Sequence, residues 1–369
     1  MSKEWQWMRV YYFEDCKDDL ILNGVWPAIQ TACSSGNAAG FFQRKALGGP
    51  HVLIGIRNAD FTDVERAHSV IRGFLAKSPS STRMSAENYH RLSGTLADWE
   101  KQSGEIGLQP NNTLQDCAEP HNPLIRPGEF QEAIREVLCR SAELVVQWLE
   151  LVHEGKFQRQ DIALHMMLAA AWAANPQKLT SCVSFGSHAL GFFNKADPGK
   201  KLAASFSMKY ETVGGAVRDF MCAAVQAMES GKNPIPALSD WVGLLKETMT
   251  TMYKGLVSGK FEIASVMQFE YTEEQRRLVS LLDESPALRA WQITINLVYL
   301  GLNQLGVKAL ERFYACYLLF MAADDIYGGL GQVGRHLAEN RDTTNMLPFF
   351  NALQRETTTV KMKLYSTAL

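Results

Sequence analysis

The sequence predicts an α+β fold, in which an N-terminal antiparallel or mixed sheet with helices packs on a larger helical part. Residues 5–77 read β-α-β-β-α, from Glu129 onward the apolar spacing is helical almost throughout, and a proline-rich stretch separates the two patterns. From Trp5 to Phe13 the residues are aromatic and β-branched, which reads as a strand, and a helical pattern follows from Asp19 to about Ser34. Two short strands come next, Gly40 to Lys45 and His51 to Ile56. The turn Leu47-Gly48-Gly49-Pro50 between them marks a hairpin. Thr62 then caps a helix to about Lys77, with Glu65 three residues on completing a capping box.

Residues 78–128 carry Pro79, Pro110, Pro120, Pro123 and Pro127 and read as a connecting loop. Helices are expected over 129–154, 158–174, 179–195, 202–229, 237–257, 272–283, 286–304, 306–326 and 346–365. The organisation is therefore 1–128 as an α+β layer with its loop and 129–369 as the helical part, expected to form one compact body. No fixed-period repeat occurs.

The chain has 369 residues, 46% of them hydrophobic, with 37 basic and 39 acidic side chains. That composition excludes disordered, collagen-like and coiled-coil readings, and a net charge of −2 gives no general pull toward nucleic acid or an anionic membrane. Seven scattered cysteines without a CxxC pair argue against a disulfide framework or a structural zinc site, and read as reduced thiols of a cytoplasmic protein. Apolar runs such as 314–323 are far shorter than the ~20 residues of a membrane span. The sequon Asn111-Asn112-Thr113 is accordingly expected to stay unglycosylated.

Several chemistries lack their motifs. Residues 329–334, GLGQVG, match the dinucleotide glycine pattern but follow a helix where a strand is needed, so they read as a loop. No histidine spacing suits a metal, and neither a phosphate-binding Walker loop nor a serine-hydrolase elbow is present. Asp324-Asp325 reads as a solvated helix end, because a hard cation needs further converging carboxylates. No metal and no cofactor is implied.

One constellation survives. On helix 286–304, Arg289, Gln292, Asn296, Tyr299 and Asn303 fall within about 80° of one another at ~100° per residue, while the rest is almost wholly apolar. A surface stripe is usually charged, whereas this one is mostly amide and phenol, which suits a buried helix facing a polar cavity. The stripe is either a satisfied structural network or the lining of a substrate pocket, with Trp291 beside it as a wall or an ordinary core residue. The hairpin FFQRKALGGPHVLIGI adds Arg44 and His51 on the two sides of one tight turn, read either as solvated surface residues or as contributors to a site.

These residues resemble a family. WQWMRVYYFE, then FFQRKALGGPHVLIGI, then a late helix ending YLGLNQLG is similar to the C-terminal elimination domain of lantibiotic dehydratases, also found free-standing in thiopeptide biosynthesis. The resemblance is clearest over 5–75 and 286–325. Eliminating members typically carry arginines in the strand after the turn; this chain has Leu53 and Gly55, and Tyr299 with Asn303-Gln304 where a histidine and an Asn-Arg pair would stand. A site without those cations is similar instead to the thiopeptide pyridine synthases. That branch performs a formal aza-[4+2] cycloaddition of two dehydroalanines in a ribosomally made precursor peptide, releasing water and the leader to leave a pyridine-centred macrocycle. The resemblance implies a cofactor-independent enzyme whose partners are the leader and dehydrated core of the precursor, is compatible with a homodimer, and involves neither nucleic acid nor membrane. It implies Tyr299 as proton donor or amide polariser, Gln292, Asn296 and Asn303 as positioning groups, and Trp291, Arg289, Arg44 and His51 as substrate contacts. Leader docking is expected on the N-terminal layer and loop 78–128. A glutamate-eliminating domain and a non-catalytic precursor-binding scaffold are the alternatives.

Overall fold

The computed structural model describes residues 5–34, 36, 38–91, 107–120, 128–174, 180–196, 201–261 and 286–327. They form two units: 1–157 with 303–306, and 158–302 with the remainder after 306. The sequence reading placed the division at 128; the contacts assign the helix that follows to the sheet unit.

The first unit opens with β1 (Trp5–Tyr11) and one helical run, α1 (Asp18–Leu20), a π-helical turn (Ile21–Val25) and α2 (Trp26–Ala32). Pro27 lacks the N–H that would continue the α pattern, and the wider turn before it absorbs the missing bond. Strands β2 (Ala39–Lys45) and β3 (His51–Arg57) form the expected hairpin, α3 covers Phe61–Lys77, and α4 covers Glu129–His153. Gly48 and Gly49 have φ of +90° and +109°, a region closed to most side chains, which fixes the turn. The cap of α3 is Asp60, whose carboxylate accepts from the Asp63 N–H at 2.7 Å; the expected Thr62 box does not form because the chain enters the helix two residues earlier. A fourth strand, β4 (Thr113–Asp116), lies inside the stretch expected to be loop.

All strand pairs are antiparallel in the order β2-β3-β1-β4. One sheet face is apolar: Met8, Val10, Phe42, Val52, Ile54 and Ile56 are fully buried, and α2 approaches so closely that a Cβ on Gly40 would meet Ile29 at 2.8 Å. At about 1.5–3 kcal/mol per large side chain, this layer is the main source of the unit's stability. On the other face Trp5 stacks on Trp7 and Phe41 meets both edge-on, with ring centres 5.6–5.8 Å apart, and α4 seals them with Arg135 over both indoles and Glu132 accepting from Trp5 Nε1.

The second unit is helical: α5 (Arg159–Ala174), a 3₁₀ turn (Thr180–Cys182), α6 (Val183–Ala196), α7 (Lys201–Glu229), α8 (Leu238–Val257), α9 (Pro286–Leu305, its last residues counted with the first unit) and α10 (Ala309–Tyr327). Residues Ala315–Asp324 of α10 and Met166–Ala171 of α5 are buried all round, as helices apolar on every side must be. Small residues permit close approach. A Cβ on Gly186 of α6 would fall 2.5 Å from the Phe320 ring of α10, and one on Gly301 of α9 3.0 Å from Trp241 of α8. The expected helices 272–283 and 346–365 and the loop 329–334 lie outside the described residues. All seven cysteines are free thiols, and among the described residues no helix is long and apolar enough to cross a membrane.

Candidate functional site

The hairpin does not bring Arg44 and His51 together. Arg44 pairs in register with Val52 and His51 with Lys45, so strand alternation sends the two side chains to opposite sheet faces. Arg44 reaches back to α1, donating to Asp18 Oδ1 at 2.9 Å and through Nε to the Gln304 carbonyl at 3.1 Å. His51 is 3% exposed, its Nδ1 2.9 Å from the Gly49 carbonyl and its ring 4.9 Å from Tyr11. A carbonyl only accepts, so Nδ1 carries the proton. Burial first, then the nearby Arg9, Lys45 and Lys17 cations, draw its pKa down to about 4.

The stripe of α9 divides along its length. Arg289 is buried and donates to half-buried Gln292 at 3.1 Å, while Asn296 is exposed. Trp291 is in the core, donating to Ser184 Oγ at 2.6 Å. At the far end the Asn303 amide accepts from the Arg44 N–H at 3.0 Å and donates to the Arg44 carbonyl at 3.1 Å, imitating a neighbouring strand on the edge of β2. Gln304, fully buried, extends this by donating to the Phe42 carbonyl at 3.0 Å and accepting from Ser141 at 2.8 Å. Asn303 and Gln304 thus hold the first unit's sheet edge, and the stripe is not one continuous lining.

Tyr299 has different company. Its ring stacks on His188 of α6 at 4.1 Å, His188 stacks on Phe313 of α10 at 4.9 Å, and Phe313 on Phe192 at 4.0 Å. The Arg312 guanidinium lies 5.3 Å from the Tyr299 ring centre and 5.0 Å from that of Phe313, a cation held against aromatic faces. The Tyr299 hydroxyl is enclosed, 3.6 Å from the Cys316 sulfur. Burial raises its pKa well above the ordinary tyrosine value, so the phenol stays protonated. Burial and then Arg312 lower His188 to about 3, so the imidazole stays neutral, and burial pushes the Cys316 thiol up to about 12. Among the described residues, His188 Nε2 and Arg312 Nε are both buried without a hydrogen-bond partner. Unsatisfied buried groups cost on the order of 1–3 kcal/mol each, and two of them lie beside one protonated phenol. The cluster can donate a hydrogen bond from oxygen, accept one on a neutral imidazole, and stabilise negative charge with a desolvated guanidinium.

Neither His188 nor Arg312 stood out in the sequence, because the cluster is assembled from three helices and no spacing rule joins them. Asp325 of the Asp-Asp pair accepts from Tyr210 at 2.7 Å and Arg218 at 2.6 Å. The amide of Asn111, the sequon residue, is committed to the loop, donating to Ser80 Oγ and the Thr82 carbonyl and accepting from the Phe13 N–H. Beside it, Phe13, residues 80–84 and residues 108–111 line a cavity of about 680 Å³.

A four-stranded antiparallel sheet carrying this hairpin, followed by an all-helical unit, is the architecture of an elimination-type domain. The chain belongs to the lantibiotic biosynthesis dehydratase C-terminal family, whose model matches residues 5–323. Among solved structures it is similar to the pyridine synthase TbtD from thiomuracin biosynthesis, with a TM-score of 0.71 and 26% identity over 88% of this chain and 99% of that one. It also shares the fold of TsrL, with a TM-score of 0.64 and 14% identity over 92% of this chain and 99% of that one. No curated protein sequence matches it.

Proposed function

We propose that the chain is a thiopeptide pyridine synthase, an enzyme that joins two dehydroalanines of a modified precursor peptide by formal aza-[4+2] cycloaddition and then expels water and the leader peptide. The observation that carries this reading is the likeness to a pyridine synthase over essentially that protein's whole length, at an identity above that of fold likeness alone. The chemistry needs two distant residues of one peptide held in near-attack geometry, a contribution that can reach about 7–11 kcal/mol. It also needs one amide shifted to its imidic-acid tautomer and two later eliminations assisted by proton transfer.

The Tyr299 cluster suits the tautomer shift by hydrogen bonding. The protonated phenol donates a hydrogen bond to the amide oxygen, and the neutral imidazole offers an acceptor to the amide N–H, while the guanidinium of Arg312 answers charge that develops between them. Gln292 and Asn296 remain positioning groups in this reading, with Arg289 and Trp291 behind them. Asn303, Arg44 and His51 act by holding the sheet and its turn. The leader is assigned to the first unit, where the cavity beside Phe13 and residues 80–84 offers a built recess in the connecting loop.

Mass spectrometry tests the reading against its alternatives. With a bis-dehydroalanine precursor, a synthase releases the leader and a macrocycle lighter by water. Glutamate loss from a glutamylated precursor with the leader still attached identifies an eliminating enzyme. Unchanged masses in both experiments identify a binding scaffold.

A further inference from the structure

We propose that the sheet face bearing Arg9, beyond the aromatic wall of Trp7 and Phe41, holds a carboxylate-binding subsite. The register lays two rows across the strands, Gln43–Leu53–Arg9–Gln115 and Lys45–His51–Tyr11–Thr113, and alternation points all eight side chains to one face. The next row is closed: a Cβ on Gly55 would meet Trp7 at 2.8 Å and Phe41 at 3.2 Å. Past this aromatic wall Leu53, His51 and Tyr11 are buried, and Arg9, Gln43, Lys45, Thr113 and Gln115 around them are each half-buried. No acidic residue occupies either row.

Arg9 stands apart among the described buried and half-buried arginines of its unit. Arg44 is paired with Asp18, Arg57 with Glu136, and Arg135 with Glu119 and Glu132. Arg9 lies against the Tyr11 hydroxyl, its Nε is buried without a hydrogen-bond partner, and no carboxylate meets it among the described residues. Partly desolvated cations are normally matched, since an uncompensated one is costly. The fields of Arg9 and Lys45 both reach His51, which stays neutral and so does not add to them. A guanidinium fork binds a carboxylate by two parallel N–H bonds, and the Gln115 amide directly opposite Arg9, one N–H of which donates to Gln109 Oε1 at 3.4 Å, has a second N–H to offer.

That the carboxylate belongs to a peptide rests on the pyridine-synthase reading. It is borne either by an acidic side chain or by a C-terminus, and the probes below separate the two. The full chain, carrying ¹⁵N-labelled arginine, is titrated with N-acetyl-glutamate amide, which has only a side-chain carboxylate, with N-acetyl-alanine, which has only a terminal one, and with neutral N-acetyl-glutamine amide. One Nε–H resonance, absent from Arg9→Lys, is expected to shift saturably with a carboxylate probe and not with the neutral one. The carboxylate probe that saturates at lower concentration identifies the source. Gln115→Ala, on the half-exposed edge strand, is expected to weaken the response several-fold with the spectrum otherwise retained, which covers the case of a poorly folding Arg9 variant. No saturable shift from either carboxylate, or an equal shift from the neutral probe, overturns the subsite. Turnover plays no part in the readout: a chain that binds the carboxylate but does not cyclise loses only the synthase reading, and one that cyclises without binding it loses only the subsite.

Discussion

At the scale of single residues, Tyr299 has two jobs that one atom separates. Its ring fills a stack between His188 and the Arg312 guanidinium, and its hydroxyl meets a thiol. Tyr299→Phe keeps the stack and deletes the hydroxyl. The loss of one neutral hydrogen bond changes stability by about 0.5–1.5 kcal/mol, whereas the loss of a positioned proton donor lowers a rate about 10²- to 10⁴-fold. The expected result is a urea midpoint close to that of the parent with cyclisation of a bis-dehydroalanine substrate reduced by that factor; a near-parental rate would return Tyr299 to the core. His188→Phe makes the complementary cut, retaining an aromatic ring and removing the unpartnered Nε2. Stability is expected to hold within about 1.5 kcal/mol while the rate falls. A variant as active as the parent would show that the imidazole only packs. Tyr299 was visible in the sequence as a phenol on an otherwise apolar helix. Its partners were not, since burial of His188 is decided by helices that meet only in three dimensions.

At the scale of elements, local chemistry determines what can be read and pairing determines the rest. The β2–β3 hairpin is written in Gly48-Gly49-Pro50, because positive φ at two adjacent residues leaves few sequences free. By contrast β4 is four residues of TLQD in a proline-rich stretch, and only its bonds to β1 make it a strand. On α9 the periodicity gives the spacing of the stripe, but it cannot tell that Asn303 and Gln304 are claimed by the edge of β2. Their role gives a test. Gln304→Leu strips the Phe42 carbonyl and the Ser141 hydroxyl of a buried partner, and is expected to lower stability by about 2–4 kcal/mol, measured by urea unfolding. A change below about 0.5 kcal/mol would mean the strand edge is satisfied without it. Gly186→Ala tests a helix contact, since the added methyl enters the space of the Phe320 ring. Overpacking of about 1–3 kcal/mol is expected, along with disturbance of the neighbouring α10 cluster. An unshifted midpoint would show that α6 and α10 separate freely.

At the scale of the whole molecule, the two units share an acid sensitivity that comes from separate imidazoles. His51 in the first unit and His188 in the second are both held neutral by burial, with pKa values near 4 and 3 in the folded chain against the ordinary 6.5. A depressed histidine pKa means that the unfolded chain takes up the proton first. Between pH 6.5 and about 4 the unfolded state therefore binds more protons, and stability must fall as the solution is acidified. Each imidazole contributes up to about 1.4 kcal/mol per pH unit across that window, and nothing above pH 7. The urea midpoint is thus expected to be flat from pH 8 to 7 and to decline steadily from 6.5 to 4.5. His188→Phe is expected to make that decline shallower in the second unit, and His51→Phe in the first, each followed by a tryptophan in its own unit, Trp291 or Trp7. A parent midpoint independent of pH between 7 and 5 would show that water reaches both rings. An unchanged slope in both variants would place the acid sensitivity in the carboxylates instead.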